Sequence, residues 1–298
     1  MPLSRRQWVP LADIPYDASF ERIYRQSLSS LPGGFVLHGC NTTVSRFLLA
    51  EGCQVAQTGV EAVLNLEEGN MAKPSVLDLA RRGGRWGRVM EVLPTEANQH
   101  RLAQLAQTTA HGAKPQLQYA FRTQFDEATR GFVFATPEGK WLAAITLSLM
   151  KPNYWHTELL LRRKSAPIGV MEALVTEVFD RLKKEGGRDK GRWSLGMVPF
   201  LSISDPLLEQ SCKNAFSLPC RNELMLKVGR LLHFSFNYEG LFRFKDKFSP
   251  EWRPLYLCGK PTLPWRVLID LSIKSRHLHL LGYGVPTWFR SVGARTLG

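Results

Sequence analysis

Apolar residues recur along this chain in two periods, and the switches between them mark out its elements. Residues 35–38, Phe-Val-Leu-His, read as a short strand. Asn41-Thr42-Thr43 then offers caps for a helix that carries Val44, Phe47 and Leu48 and stops at Gly52. Residues 53–56 and 61–66 run apolar or alternate, as two further strands would. A second helix is expected over 75–82, opening on Pro74-Ser75 and closing at Gly83-Gly84, with a strand after it over 86–93. From Thr95 to about Ala113 the spacing of Ala97, Leu102, Leu105 and Ala106 is weakly helical.

Beyond Gly131 the period becomes that of a hairpin, because 132–135 and 141–145 flank the turn Pro137-Glu138-Gly139-Lys140. The clearest helix follows. Met171, Leu174, Val175, Val178, Phe179 and Leu182 fall at helical intervals, with Lys183-Lys184 in the last turn and Gly186-Gly187 beyond it. Residues 192–200 then read as a strand broken at Pro199. The order strand, strand, helix, strand describes an α/β or α+β domain. At 298 residues the chain fits two domains of about 150 residues. Each half mixes strands with helices, so the expected division is 1–130 and 131–298, with no Pro- or Gly-rich linker between them.

Composition narrows the class. Hydrophobic content of 44% with 22% charged residues is that of a globular protein with a sizeable core. The longest uncharged apolar run, 141–150, is about half of the roughly 20 residues that a membrane-spanning helix needs. The N-terminus carries no apolar secretory core, and the protein is expected in the cytoplasm. Five cysteines, Cys40, Cys53, Cys212, Cys220 and Cys258, lack CxxC spacing and neighbouring histidines, and read as reduced thiols rather than metal ligands. The histidines, His38, His100, His111, His156, His233, His277 and His279, form no HExxH pattern. A net charge of +13 favours polyanions, nucleic acid or anionic headgroups, as partners.

The densest chemistry lies over 236–257, where Arg243, Lys245, Lys247 and Arg253 interleave with aromatic residues. That mixture suits a phosphate-bearing ligand, and equally an element with an aromatic core face and a solvated basic face. Arg81-Arg82-Gly83-Gly84-Arg85-Trp86-Gly87-Arg88 lacks the Gln/Arg-x-x-Gly-x-Gly/Ala spacing of a coenzyme A pyrophosphate loop and reads as a basic turn. Glu158 and Arg162 stand four apart, one helical turn or two strand steps.

The 236–257 segment resembles the signature near the end of bacterial phosphatidylglycerol lysyltransferases and their alanyl-transferring relatives. That signature is Phe-Asn-x-x-Gly-Leu, two residues, Phe-Lys-x-Lys-Phe, one residue, Pro-x-Trp, then Tyr-Leu. Three further stretches keep the family's order: 155–162 with 166–172, which is similar to its acidic residue, arginine and Ala-Pro-Asn-Gly turn; Leu195-Gly196-Met197-Val198-Pro199; and, more weakly, Gly59-Val60-Glu61-Ala62. Ile168 stands in place of the turn's asparagine, Ser194 where asparagine is common, and these 298 residues hold no counterpart of the membrane-embedded region of the large family members.

The resemblance implies tandem acetyltransferase-like (GNAT) domains, each a mixed sheet flanked by helices, the second carrying transfer of an amino acid from aminoacyl-tRNA to a lipid or another hydroxyl or amine acceptor. Such a reaction requires no metal or redox cofactor. It assigns Glu158, Arg162 and Lys245 to catalysis: Glu158 as general base or holder of the α-amino group, Arg162 as its partner or a phosphate clamp, Lys245 for the oxyanion or the acceptor-stem phosphates. Substrate binding falls to Gly169, Asn237, Tyr238, Arg243, Lys247 and Arg253, Gly169 through backbone N–H groups opening a helix. The closing helix, 263–274, with Trp265, Leu268, Ile269, Ile273, Lys274 and Arg276, fits either docking on its own domain or peripheral contact with an anionic membrane. Two alternatives remain: an acyl-CoA N-acyltransferase on the same fold, and a non-catalytic protein that binds tRNA or a membrane surface.

Overall fold

A computed structural model describes residues 1–10, 18–67, 73–110, 112, 124–186, 191–204 and 237–279. Cys212, Cys220, His111, His233 and Phe236 lie outside the described residues. In chain order the elements are β1 (Gln7–Pro10), α1 (Phe20–Ile23, running on as a π-helical turn over Tyr24–Leu28), β2 (Phe35–Cys40), α2 (Thr42–Ala50), β3 (Gln54–Asn65), α3 (Pro74–Gly84), β4 (Arg88–Val92) and α4 (Glu96–Gln107). They continue as β5 (Thr129–Ala135), β6 (Trp141–Lys151), β7 (Tyr154–Arg162), α5 (Val170–Glu185), β8 (Arg192–Pro199), α6 (Tyr238–Asp246), β9 (Glu251–Lys260) and α7 (Trp265–Lys274).

The described strands form one mixed sheet in the order β1-β2-β9-β3-β8-β7-β6-β5-β4. The architecture is the expected mixed α/β class, with helices against the sheet. β4 pairs with β5 from Arg88↔Ala135 to Val92↔Gly131, and β9 sits between β2 and β3. Strands from the two halves therefore interleave, and a boundary at 130/131 falls inside β5.

Local chemistry explains the helices. Asn41 and Thr95 cap α2 and α4 by accepting the N–H groups of Val44 and Asn98. One face of α5, from Val170 through Leu174, Val178 and Leu182, is buried against Phe132, Ile145 and Trp193 of the sheet in the largest core cluster. A second cluster joins Tyr24 and Leu48 to Phe35, Val55 and Tyr256 on the other half. The free thiols of Cys40, Cys53 and Cys258 are buried there too.

Two readings change. The strands expected over 53–56 and 61–66 are one twelve-residue strand, β3, through Gln57 and Thr58. β3 is an interior strand, between β9 and β8, and it is buried on both faces along most of its length, Gln57 and Thr58 included, so the alternation is lost. The weak helix after Thr95 ends at Gln107 rather than near Ala113.

One feature of the sheet creates the site. β7 and β8 are parallel neighbours joined through α5, but their pairing consists of Tyr154↔Arg192, Trp155↔Trp193 and His156↔Ser194. Beyond that last pair β7 stays with β6 as far as Arg162, and β8 stays with β3 as far as Pro199. The sheet opens into a wedge whose apex is His156 and Ser194.

Candidate functional site

Glu61 of β3 sits at this apex, in register with Met197 of β8 on one side and Arg253 of β9 on the other. Its Oε1 accepts a hydrogen bond from Ser194 Oγ at 2.5 Å and lies 3.7 Å from His156 Nδ1, and its Oε2 accepts from the Tyr154 hydroxyl at 3.3 Å. Ser194 Oγ in turn accepts the Gly196 N–H at 3.0 Å, which holds the serine in place. Burial acts to raise the Glu61 carboxyl, but the His156 imidazole and the two hydroxyls outweigh it and hold it below the ordinary range. Burial and the Glu61 charge push the Tyr154 phenol above its usual value.

Lys245 reaches the same place from α6. It is 3% exposed, and its Nζ donates to the Met197 carbonyl at 3.1 Å. Burial pushes this amine down to about 7, against an upward pull from Glu61. Near neutral pH a large fraction of it is therefore an uncharged amine able to take a proton, with a carboxylate close by to hold the ammonium that results. Gly196 lies against the amine: its φ of +87° turns β8 at this point, and a Cβ there would stand 3.5 Å from Lys245 Nζ.

The rest of α6 shows why one lysine of the signature points inward. Asn237 Oδ1 caps the helix by accepting the Gly240 N–H at 2.8 Å, and buried Tyr238 packs on Val60, Val198 and Phe200. Phe242 stacks on Trp252 at 4.8 Å, while Phe244 and Phe248 join the large core. These aromatic residues of the signature thus belong to the core. Two positions on a helix turn the side chain by about 200°, so Arg243 and Lys247 leave the face of Lys245. Arg243 lies outside, 3.9 Å from Glu239. Lys247 pairs with buried Glu172 of α5 at 2.8 Å, and Asp246 pairs with Lys73, the N-cap of α3, at 2.8 Å.

Of the residues expected at the site, Lys245 and Arg253 are brought to the Glu61 cluster; Arg253 also forks onto the Glu251 carboxylate at 2.9 and 2.6 Å. Glu158 lies two residues along β7 from His156 and accepts from Ser148 Oγ at 2.5 Å. Arg162 is at the far end of β7 and donates to the Ala166 carbonyl at 2.9 Å. Gly169, with a φ of +94°, is where α5 touches α3: a Cβ there would come within 2.2 Å of the Leu79 carbonyl oxygen. That close approach accounts for the glycine by itself. Asn237 and Tyr238 serve the helix start, and Lys247 serves the α5–α6 contact. Glu61, Ser194 and Tyr154 were not among the expected residues. The signal for Glu61 was the Gly59-Val60-Glu61-Ala62 stretch, and for Ser194 its departure from asparagine. Among the described residues no three His, Cys, Asp or Glu side chains are placed to hold a metal ion.

Comparison with known proteins adds a family to this geometry. The family described as "Phosphatidylglycerol lysyltransferase, C-terminal" matches residues 20–259. A phosphatidylglycerol lysyltransferase of Bacillus subtilis (strain 168) is 28% identical over 100 residues, an alignment that takes in 34% of this chain and 10% of that relative. Two solved structures share the fold. L-PGS from Bacillus licheniformis superposes with a TM-score of 0.60 at 19% identity, covering 80% of this chain and 71% of that one. A C-terminal domain assigned to a lysylphosphatidylglycerol synthetase from Agrobacterium fabrum gives 0.62 at 18% identity, covering 85% and 76%.

Proposed function

This chain belongs to the phosphatidylglycerol lysyltransferase C-terminal family, and on that premise we propose that it moves an amino acid from aminoacyl-tRNA to the hydroxyl of an anionic lipid, with Lys245 as the base. The observation that carries the reading is the Lys245 amine, buried at the apex of the β7–β8 wedge near Glu61, where burial pushes it down to about 7. An aminoacyl ester is already activated, so positioning and one proton transfer carry most of the work. The uncharged Lys245 amine takes the proton of the acceptor hydroxyl as that oxygen attacks the ester carbonyl. The tetrahedral intermediate then collapses, the C–O bond to the tRNA ribose breaks, and the Lys245 ammonium returns the proton to the departing oxygen. Glu61 stabilises the ammonium between the two steps and is itself oriented by Ser194, Tyr154 and His156.

The reading is tested with purified protein, a mixture of charged tRNAs and phosphatidylglycerol vesicles: an isotopically labelled amino acid is expected in the lipid fraction. Lipid left unlabelled by every charged tRNA, with turnover of an acyl-CoA instead, would sink it in favour of the N-acyltransferase.

The lipid acceptor draws support from α7. Its Val267 is buried against the sheet and Asp270 against the N-terminal segment, while Trp265, Ile269 and Ile273 form an outward strip at i, i+4 and i+8, and Trp265 is 63% exposed. Arg266 and Lys274 are exposed beside the strip, and Asp270, the single carboxylate of the helix, accepts the Leu3 and Ser4 N–H groups at 2.9 and 2.7 Å. One face thus docks on the protein, and the other combines apolar and cationic groups suited to an anionic bilayer. Ile269→Glu with Ile273→Glu is expected to lower sedimentation with phosphatidylglycerol vesicles by roughly tenfold or more with unchanged circular dichroism. Equal sedimentation would remove α7 as the contact.

A further inference from the structure

At the open end of the wedge, opposite the apex, α3 and the loop entering α5 meet through two glycines. A Cβ on Gly83 would stand 2.1 Å from the Gly169 carbonyl oxygen, so the two backbones touch. This contact gathers side chains that are far apart in sequence. Ile168, immediately before Gly169, is 74% exposed; Trp86, whose N–H bonds to the Gly83 carbonyl at 3.0 Å, is 55% exposed. Arg81, Arg82, Arg85, Arg88 and Lys164 are exposed around them, and Leu77 is exposed one turn before Arg81. Asp78 reaches Arg82 at 3.0 Å and Arg81 at 3.6 Å, a single solvent-exposed carboxylate that leaves the patch strongly cationic.

We propose that this collar binds the single-stranded 3′ end of the donor tRNA; the proposal rests on the tRNA-dependent reading above. Arginines fork onto phosphates, and an exposed indole offers a flat face on which an unpaired base can stack. The balance of residues separates the collar from α7. Five exposed cations surround three apolar side chains here, whereas on α7 three apolar side chains outnumber two cations, the composition of a surface that enters lipid. Position agrees as well. β7 runs six residues from His156 at the apex to Arg162 beside the collar, about 20 Å in extended chain. A single strand of a few nucleotides can cross that gap with its terminal ester at Lys245 while the duplex stays outside.

The test is filter binding of uncharged tRNA, and of the same tRNA trimmed of its unpaired 3′ nucleotides, from low to near-physiological salt. Wild type, Arg81→Glu/Arg85→Glu and Trp86→Ala are compared after matching their thermal unfolding, which exposed positions should leave unchanged. The double reversal is expected to weaken binding at least tenfold and to flatten the dependence of log K on log salt. Trp86→Ala is expected to weaken the intact tRNA roughly tenfold and leave the trimmed tRNA unaffected. Wild type that binds tRNA with both variants equal to it would overturn the collar and leave the transfer reading standing. Wild type that binds no tRNA even at low salt would overturn both. Variants that keep tRNA but lose phosphatidylglycerol vesicles would make the collar a membrane surface and overturn the proposal.

Discussion

Replacing Lys245 by methionine is expected to lower aminoacyl transfer by at least about a hundredfold while giving a protein more stable than the parent at neutral pH. The two effects share one cause. A positioned base contributes about 10²- to 10⁴-fold, and methionine cannot take a proton. Arginine is expected not to restore the rate, because a guanidinium keeps its proton throughout the working range. In the parent, kcat/KM should rise with pH through about 7 as the amine is freed.

The stability half follows from the direction of the same shift. The folded Lys245 titrates near 7 against 10.5 in an unfolded chain, so between those values the unfolded state binds more protons and stability rises with pH. Below about 7 both states are protonated and the folded protein bears the full penalty of a buried ammonium, on the order of a few kcal/mol. Methionine removes the penalty at the smaller cost of leaving the Met197 carbonyl without its donor, about 1 kcal/mol. The advantage of Lys245→Met should be greatest at pH 6, smaller at pH 8 and nearly gone by pH 10. Urea unfolding of both proteins at those three values measures it. Parallel profiles would mean that the amine is not buried as its contacts require, and the general-base role would go with it.

How much of this could be read beforehand depends on the range over which each signal acts. The core face of α5, the β5–β6 hairpin and the Asn41 cap depend on residues within a turn or two, and periodicity shows them directly. β3 was hidden because it is buried on both faces, so Gln57 and Thr58 read as a break where the strand is continuous. The site is the least local feature of all. Glu61, Tyr154, His156, Ser194 and Lys245 come from four elements, and only the strand order β3-β8-β7 with α6 laid over it brings them together. Resemblance pointed to Lys245 through its motif, but could not distinguish its inward direction from the outward ones of Arg243 and Lys247. Resemblance also pointed to Glu158, four residues before Arg162. Yet Leu159 pairs with Thr146 and Thr157 with Leu147, so Glu158 is the extra residue of a bulge, a register effect that spacing cannot reveal.

The contact that shapes the collar also bears on the fold, and the largest expected loss of stability lies there. Gly83→Ala places a methyl 2.1 Å from the Gly169 carbonyl oxygen and 2.7 Å from Val170 N, both backbone atoms, so the strain can be relieved only by moving a helix. Separating α3 from α5 would open the packing of Val76 against the large core, and a cost of about 3 kcal/mol is expected. Gly84 gives the control. It follows Gly83 at the end of α3, and a Cβ there meets nothing within 4 Å, so Gly84→Ala should be neutral or stabilising by up to about 1 kcal/mol. The displacement should also reach the chemistry, because Lys73 at the start of α3 holds Asp246 through its amine and the Lys247 carbonyl through its N–H at 3.3 Å. Gly83→Ala is therefore expected to lower transfer under conditions where it remains folded, and Gly84→Ala to leave it unchanged. Denaturant unfolding and transfer rates of the two variants, side by side, decide the matter. Unfolding free energies that agree to within about 0.5 kcal/mol would show that α3 and α5 do not meet at this glycine pair.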